Sequence, residues 1–269
     1  MSFSRLALRL AAIEALCPAI LLATPGAKFP TLAGPRIYDS RIDAIESLSG
    51  QDRGQPIVVV YTETTKSSPY TGGTHRPNEH FVDLVIEALI AIGGTITVQN
   101  ADGEPEEVGT VETPVTDRQH EAMLDVHEGL IRRVFDRSAA VESARLFFRV
   151  AMEVREIDSE PLRDADKTTR LAQRTIRFSC KIKADAWPSP SLSPTAPTGL
   201  ERLPAPLSTV AAALPAGSSG RALCATAATM IPDADGLVPL SGFDFYAGIG
   251  REPAADDFDI HAVVPTAAP

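Results

Sequence analysis

The stretch Thr175-Ile176-Arg177-Phe178-Ser179-Cys180-Lys181-Ile182-Lys183 alternates polar and apolar side chains along its whole length. Successive side chains of an extended chain point to opposite faces. Ile176, Phe178, Cys180 and Ile182 therefore share one face, and Thr175, Arg177, Ser179, Lys181 and Lys183 the other. This pattern predicts a half-buried strand with a basic outer face, hence a sheet packed against something on one side. A second strand reads from Ile57-Val58-Val59-Val60-Tyr61, a β-branched and aromatic run bounded by turn residues. Residues 82–92 fit two periods. Val82, Leu84, Ile86, Ala88 and Ile90 alternate as in a strand, whereas Val82, Val85, Ile86 and Leu89 recur as on a helix. Residues 95–98 run into Asp102-Gly103 as a strand into a turn with an acidic loop.

Helical signals surround these strands. Ser4 is placed to cap a first helix whose Leu6, Leu10, Ile13 and Cys17 form one apolar stripe, and Pro18 lacks the amide that would continue it. Thr116 and Gln119 have the spacing of a capping box. Met123, Val126, Leu130 and Val134 then continue an apolar face, with Glu128 and Arg132 as an i,i+4 pair on the exposed side. Residues 144–157 fit a helix and a strand equally. The order of elements predicts an α/β fold of the α+β kind, a mixed or antiparallel sheet packed against helices.

Composition divides the chain. Of 269 residues, 22 are proline, and residues 188–206 hold a dense run of them with serine, a composition biased to extended polyproline geometry. The expected organisation is an α/β domain over 1–186, a Pro/Ser-rich linker over 187–206 and an acidic extension over 207–269, where residues 207–214 and 221–230 read as short helices. Asp233, Asp235, Asp244, Glu252, Asp256, Asp257 and Asp259 there face only Arg221 and Arg251 as opposing charges. The formal net charge of −10 gives a negative mean field, which opposes binding to a phosphate backbone. Cys17, Cys180 and Cys224 lie far apart with no CxxC pair, so neither a disulfide framework nor a zinc knuckle is indicated and a reducing compartment fits. Glu14 and Pro18 interrupt the apolar N-terminal stretch, favouring an amphipathic helix over a secretory signal.

Catalytic signatures are missing from the sequence. There is no GxxxxGK[ST] loop, no GxSxG elbow and no HExxH pair, and Gly217-Ser218-Ser219-Gly220 reads as a turn. His75 with His80, or His120 with Glu121, Asp125 and His127, are the candidate metal ligands. On a helix His120 and His127 stand two turns apart, about 10 Å by the 1.5 Å rise, too far for one ion unaided. The histidines are read as solvated loop and helix residues. Asp233-Ala234-Asp235-Gly236 lacks the later ligands of a calcium loop and reads as a turn. Asp125 and Glu128, as paired carboxylates, are read as a solvated helix face. The expectation is a protein with no catalytic residues, no cofactor and no metal.

Three stretches carry a resemblance to a known family: the Arg-Leu-type N-terminal helix, then Ile37-Tyr38-Asp39-Ser40-Arg41-Ile42 leading into Pro56-Ile57-Val58-Val59-Val60-Tyr61-Thr62, and Arg170-Leu171-Ala172-Gln173-Arg174 entering the last strand. Over about the first 185 residues the chain resembles the tail terminator, or tail-completion, proteins of long-tailed bacteriophages and related tail-like particles. The resemblance implies a small α/β sandwich, residues 82–92 as a strand, and a hexameric ring at the end of a tail tube in the virion. Such a ring stops tube polymerisation and presents a surface to the head-completion or neck protein, while DNA slides through a negative lumen without specific binding. A head–tail connector is the nearest alternative, and a small metal-dependent hydrolase a more distant one. For the head-to-tail contact between subunits, the strip Arg170, Arg174, Arg177, Lys181 and Lys183 is set against Asp102, Glu104, Glu106 and Glu107 of the next copy. The competing reading of that strip is a solvated basic strand face.

Overall fold

The structure is a computed structural model and describes residues 2–40, 55–68, 79–90, 94–99, 105–110, 117–137, 144–163, 172–188 and 198–231. Its centre is a mixed five-stranded sheet in the order β1-β2-β3-β7-β6. The strands are β1 (Ile37–Asp39), β2 (Pro56–Ser68), β3 (Glu79–Ile90), β6 (Ala151–Arg163) and β7 (Ala172–Ile182). β1 runs parallel to β2, and every other neighbour pair is antiparallel. A separate antiparallel pair joins β4 (Gly94–Gln99), the strand expected over 95–98, to β5 (Pro105–Thr110), a strand where an acidic loop was expected; Asp102-Gly103 lies outside the described residues.

Alternation decides which face becomes the core. Val58 and Val60 of β2, Val82, Leu84, Ile86 and Ala88 of β3, and Ile176, Phe178, Cys180 and Ile182 of β7 are all buried in one cluster. The strand reading of 82–92 holds through Ile90, because β3 lies between β2 and β7 and pairs with both; residues 91 and 92 lie outside the described residues. Residues 144–157 are both things in turn: α4 (Arg145–Val150) ends where β6 begins at Ala151.

Helices cover that buried face. α1 (Ser2–Leu16) packs against β1, β2 and β3 on one side and against α4 and α5 (Leu207–Ala213) on others. Burial is consequently wider than the stripe expected from Leu6, Leu10, Ile13 and Cys17. Ala7, Leu8, Ala11, Ala12, Ala15 and Leu16 are fully buried, each buried Leu contributing roughly 1.5–3 kcal/mol. Ser4 is not the cap: its amide and hydroxyl lie inside the helix and both donate to Asp185 Oδ1, the amide at 2.8 Å. A carboxylate just past β7 thus satisfies one of the helix's orphan donors. The helix does stop before Pro18. Glu14 Oε1 then accepts from the Ala19 amide at 3.0 Å, joining α1 to α2 (Ala19–Leu22) across the break.

The segment after the proline-rich run shares the main core. Leu203, Leu207, Val210, Ala211, Leu214, Cys224 and Ala228 are buried in the same cluster as α1. Ala186 and Ala205 exchange backbone hydrogen bonds of 2.8 Å, closing the ends of the linker onto each other. The expected boundary at 187–206 therefore does not separate residues 198–231 from the α/β core. Ser218, read as part of a turn, accepts from the Arg221 amide and caps α6 (Ser219–Thr229). A Cβ at Gly220 would stand 3.1 Å from Leu214 Cδ1, so the missing side chain lets α6 start close against the end of α5, with Leu10 Cδ2 of α1 at 3.5 Å. Asp233 and the rest of the acidic run lie outside the described residues.

Candidate interaction surface

α3 (Asp117–Val134) packs on β3 and β7, but not through the expected side. Leu124, His127, Glu128, Ile131 and Val134 are buried, whereas Met123 is 38% and Val126 55% exposed. The inward face is rotated from the Met123-Val126-Leu130 stripe because β7 offers α3 a charged anchor. Arg174 Nη1 meets Glu128 Oε2 and Asp125 Oδ1 at 2.9 Å, and its Nη2 meets Glu121 Oε2 at 3.1 Å. Glu128 also accepts from Arg132 Nε at 2.7 Å and from Ser159 Oγ at 2.9 Å. Glu128 is therefore buried, correcting its reading as a solvated partner of Arg132. Burial alone would raise its carboxyl, but the hydrogen bonds from Arg174 and Ser159 and the Arg132 charge hold it below its ordinary value.

Two of the four candidate histidines, His127 and His80, differ from their expected solvated state. His127 is fully buried, neither ring nitrogen has a hydrogen-bond partner among the described residues, and burial pushes its pKa from the ordinary 6.5 to about 4. His80, on β3, is buried with Nδ1 2.8 Å from Ser67 Oγ, and burial lowers its pKa. Among the described residues no three His, Cys, Asp or Glu side chains are grouped to hold a metal ion. His75 lies outside the described residues. The three thiols are buried and shifted upward by burial, Cys180 to about 12 and Cys17 and Cys224 to about 11.

The pleat divides the expected basic strip. Arg174 points to the helix side with Ile176 and Phe178. Arg177 and Lys181 point to the opposite face, where their register neighbours include Val85, Asp158, Phe81 and Glu153. On that outer face Arg177 Nη2 lies 3.2 Å from Glu63 Oε2, and Lys181 Nζ 2.6 Å from Glu79 Oε1. The Glu63 hydrogen bond, with the fields of Glu160 and Asp83, raises Arg177. The Lys181 hydrogen bond is the main reason that Glu79 is lowered. Arg155 reaches Glu79 at 3.6 Å and lies over the Phe81 ring, 4.1 Å from its centroid. Tyr61 donates to Glu87 at 2.7 Å; burial, then that bond, raises the phenol. Arg170, Asp102 and Glu104 lie outside the described residues. Glu106 and Glu107 fall on β5, paired with Val98 and Thr97 of β4.

Among the described residues carboxylates outnumber cations on this face. Glu63, Asp83, Glu87, Glu153, Glu156, Asp158 and Glu160 line it with Glu79, against Lys66, Arg155, Arg177 and Lys181. Glu153, Glu156, Asp158 and Glu160 form an exposed row on β6, the free edge of the sheet. Sequence reasoning missed this row because β6 carries register shifts at 151/153 and 154/156, which break its period-2 pattern. Pro161, tolerated only where no ladder amide is needed, was the available signal for an edge strand. Ile57, Leu89 and Gln173, register neighbours at one end of this outer face, are buried.

No helix among the described residues is long and apolar enough to cross a membrane. No protein-family model matches this chain, and no curated protein matches it.

Proposed function

We propose that this chain is a structural assembly protein of the tail terminator kind, a subunit of a closed ring that caps a protein tube and offers its other side to a joining protein. The observation that carries the reading is the asymmetry of the sheet. One face is sealed by α1, α3 and α4, while the other presents paired and excess charges toward a long free edge. A sheet with one sealed and one charged face suits a subunit with neighbours on both sides, and head-to-tail repetition of one contact closes a ring when the rotation per copy allows it. The acidic balance suits a lumen through which DNA passes without adhering. In this reading the activity is geometric: one side of the ring matches the tube subunit's contact and the other does not, so polymerisation stops.

Light scattering on the full chain, with electron microscopy of the same sample, tests the reading. A closed ring of uniform mass is expected. A monomer at every concentration, alone and with preformed tubes, would overturn it.

A further inference from the structure

A second charged surface lies beside the Ala151 end of β6. Arg133 near the end of α3, Arg137 just beyond it, and Arg145 and Arg149 one turn apart on α4 are all exposed, and the α3–α4 junction is held by Phe135 and Phe147 at 4.7 Å. Lys183 joins them, because its amide donates to Val150 O at 3.4 Å, directly beside Arg149. Arg137 is turned onto the carbonyls of Ala151 and Met152 and the Phe148 ring; Asp136 is the carboxylate among the described residues of this stretch, and Glu142 lies outside them. Arg133, Arg149 and the Lys183 side chain have no ion-pair partner among the described residues. Glu156 and Asp158 on the β6 row likewise have none.

We propose that the acidic β6 row of one copy (Glu153, Glu156, Asp158, Glu160) docks the basic α3–α4 end (Arg133, Arg149, Lys183) of a second copy of this chain. The two patches carry opposite charge, and contact between copies neutralises Glu156, Asp158, Arg133, Arg149 and Lys183, which no described residue pairs at home, whereas Glu153 also meets Arg155 at 3.7 Å. Opposed surface charge speeds encounter, sets register and rejects wrong pairings, and it makes the contact sensitive to salt. This inference supplies the subunit contact of the ring and rests on the assembly reading for its occupant. It also changes the expected pairing: Lys183 stays in the contact, while Arg174, Arg177 and Lys181 are used inside the chain.

A charge swap tests it. One variant carries Glu153→Lys, Glu156→Lys and Asp158→Lys, the other Arg133→Glu, Arg149→Glu and Lys183→Glu, and circular dichroism checks that both remain folded. Each variant alone should drop to monomer mass at concentrations where the unaltered chain assembles, because each then carries two patches of like sign. An equimolar mixture should recover the assembled mass, with the two chains alternating. Retention of the assembled mass by either variant alone would overturn the contact, as would a folded mixture that stays monomeric. An unaltered chain that is itself monomeric would instead refute the assembly reading, so the two failures are distinguishable.

Discussion

Replacing His127 by Leu should stabilise the protein, and should do so more strongly in acid. The imidazole is fully buried with both nitrogens unpartnered among the described residues, and a buried polar group without a hydrogen bond costs about 1–3 kcal/mol. Leu is close in volume and has no polar atom, so a gain of that order is expected at pH 7.5, where the ring is neutral in both folded and unfolded chains. The acid part follows from linkage. The folded ring takes a proton only near pH 4 and the unfolded ring near 6.5, so below 6.5 the unfolded chain binds more protons and stability falls as pH falls. Between pH 7.5 and 4.5 that loss is about 2.5 kcal/mol, from a shift of 1.36 kcal/mol per unit. Urea unfolding of both proteins at the two pH values, at one fixed protein concentration, gives the double difference. Other acidic and basic groups cancel in it, and the variant should lose about 2.5 kcal/mol less than the parent. Equal losses would refute the buried, neutral His127, and a variant less stable at pH 7.5 would refute its orphaned nitrogens.

Arg174→Met should lower stability by about 2–3 kcal/mol, since it strips the guanidinium from three carboxylates of which Glu128 is buried; thermal unfolding measures it. Glu128→Gln should leave the parent's acid sensitivity reduced below the ordinary carboxylate range, because a depressed carboxyl contributes stability above that range and loses it as pH falls through its folded pKa. Removing the distant helix cap by Asp185→Ala should cost about 1 kcal/mol, with the loss read as earlier amide exchange at the start of α1. Cys17, Cys180 and Cys224 should resist a thiol reagent at neutral pH in native buffer and all react in urea; rapid native labelling would contradict their burial.

The strands were legible where burial follows one period. Thr175 to Lys183 placed Ile176, Phe178, Cys180 and Ile182 inward because β7 is an interior strand paired on both sides, the register shifts of its β6 ladder falling on the β6 side. Legibility failed where a charge or a distant segment decides the packing. α3 turned Met123 and Val126 outward because Arg174, more than forty residues later, draws Glu121, Asp125 and Glu128 toward the sheet. Arg174 itself was misgrouped by its sign, although its even spacing from Ile176 and Phe178 assigns it to the inner face. The carboxylate that meets Ser4 is Asp185, which no local capping rule can find. The acidic row of β6 was hidden by two register shifts, and the burial of α5 by a proline-rich run that reads as a spacer but whose ends meet at Ala186 and Ala205.

α1 lies between the sheet on one side and α5 on the other, with Gly220 of α6 against Leu10. In order of synthesis its inner wall is complete only with β3 and its outer wall only after Leu207 and Val210 have emerged. The ribosome adds about 5–20 residues per second, so the helix made first waits on the order of ten seconds or more for its outer cover. A chain stopped after Ala186 would keep every strand of the sheet and still bare the side of α1 that meets α5 and, at Leu10, Gly220. Aggregation of that fragment would mark a lost core wall, and a refolding rate limited by closure of this long chain loop is the kinetic signature to seek.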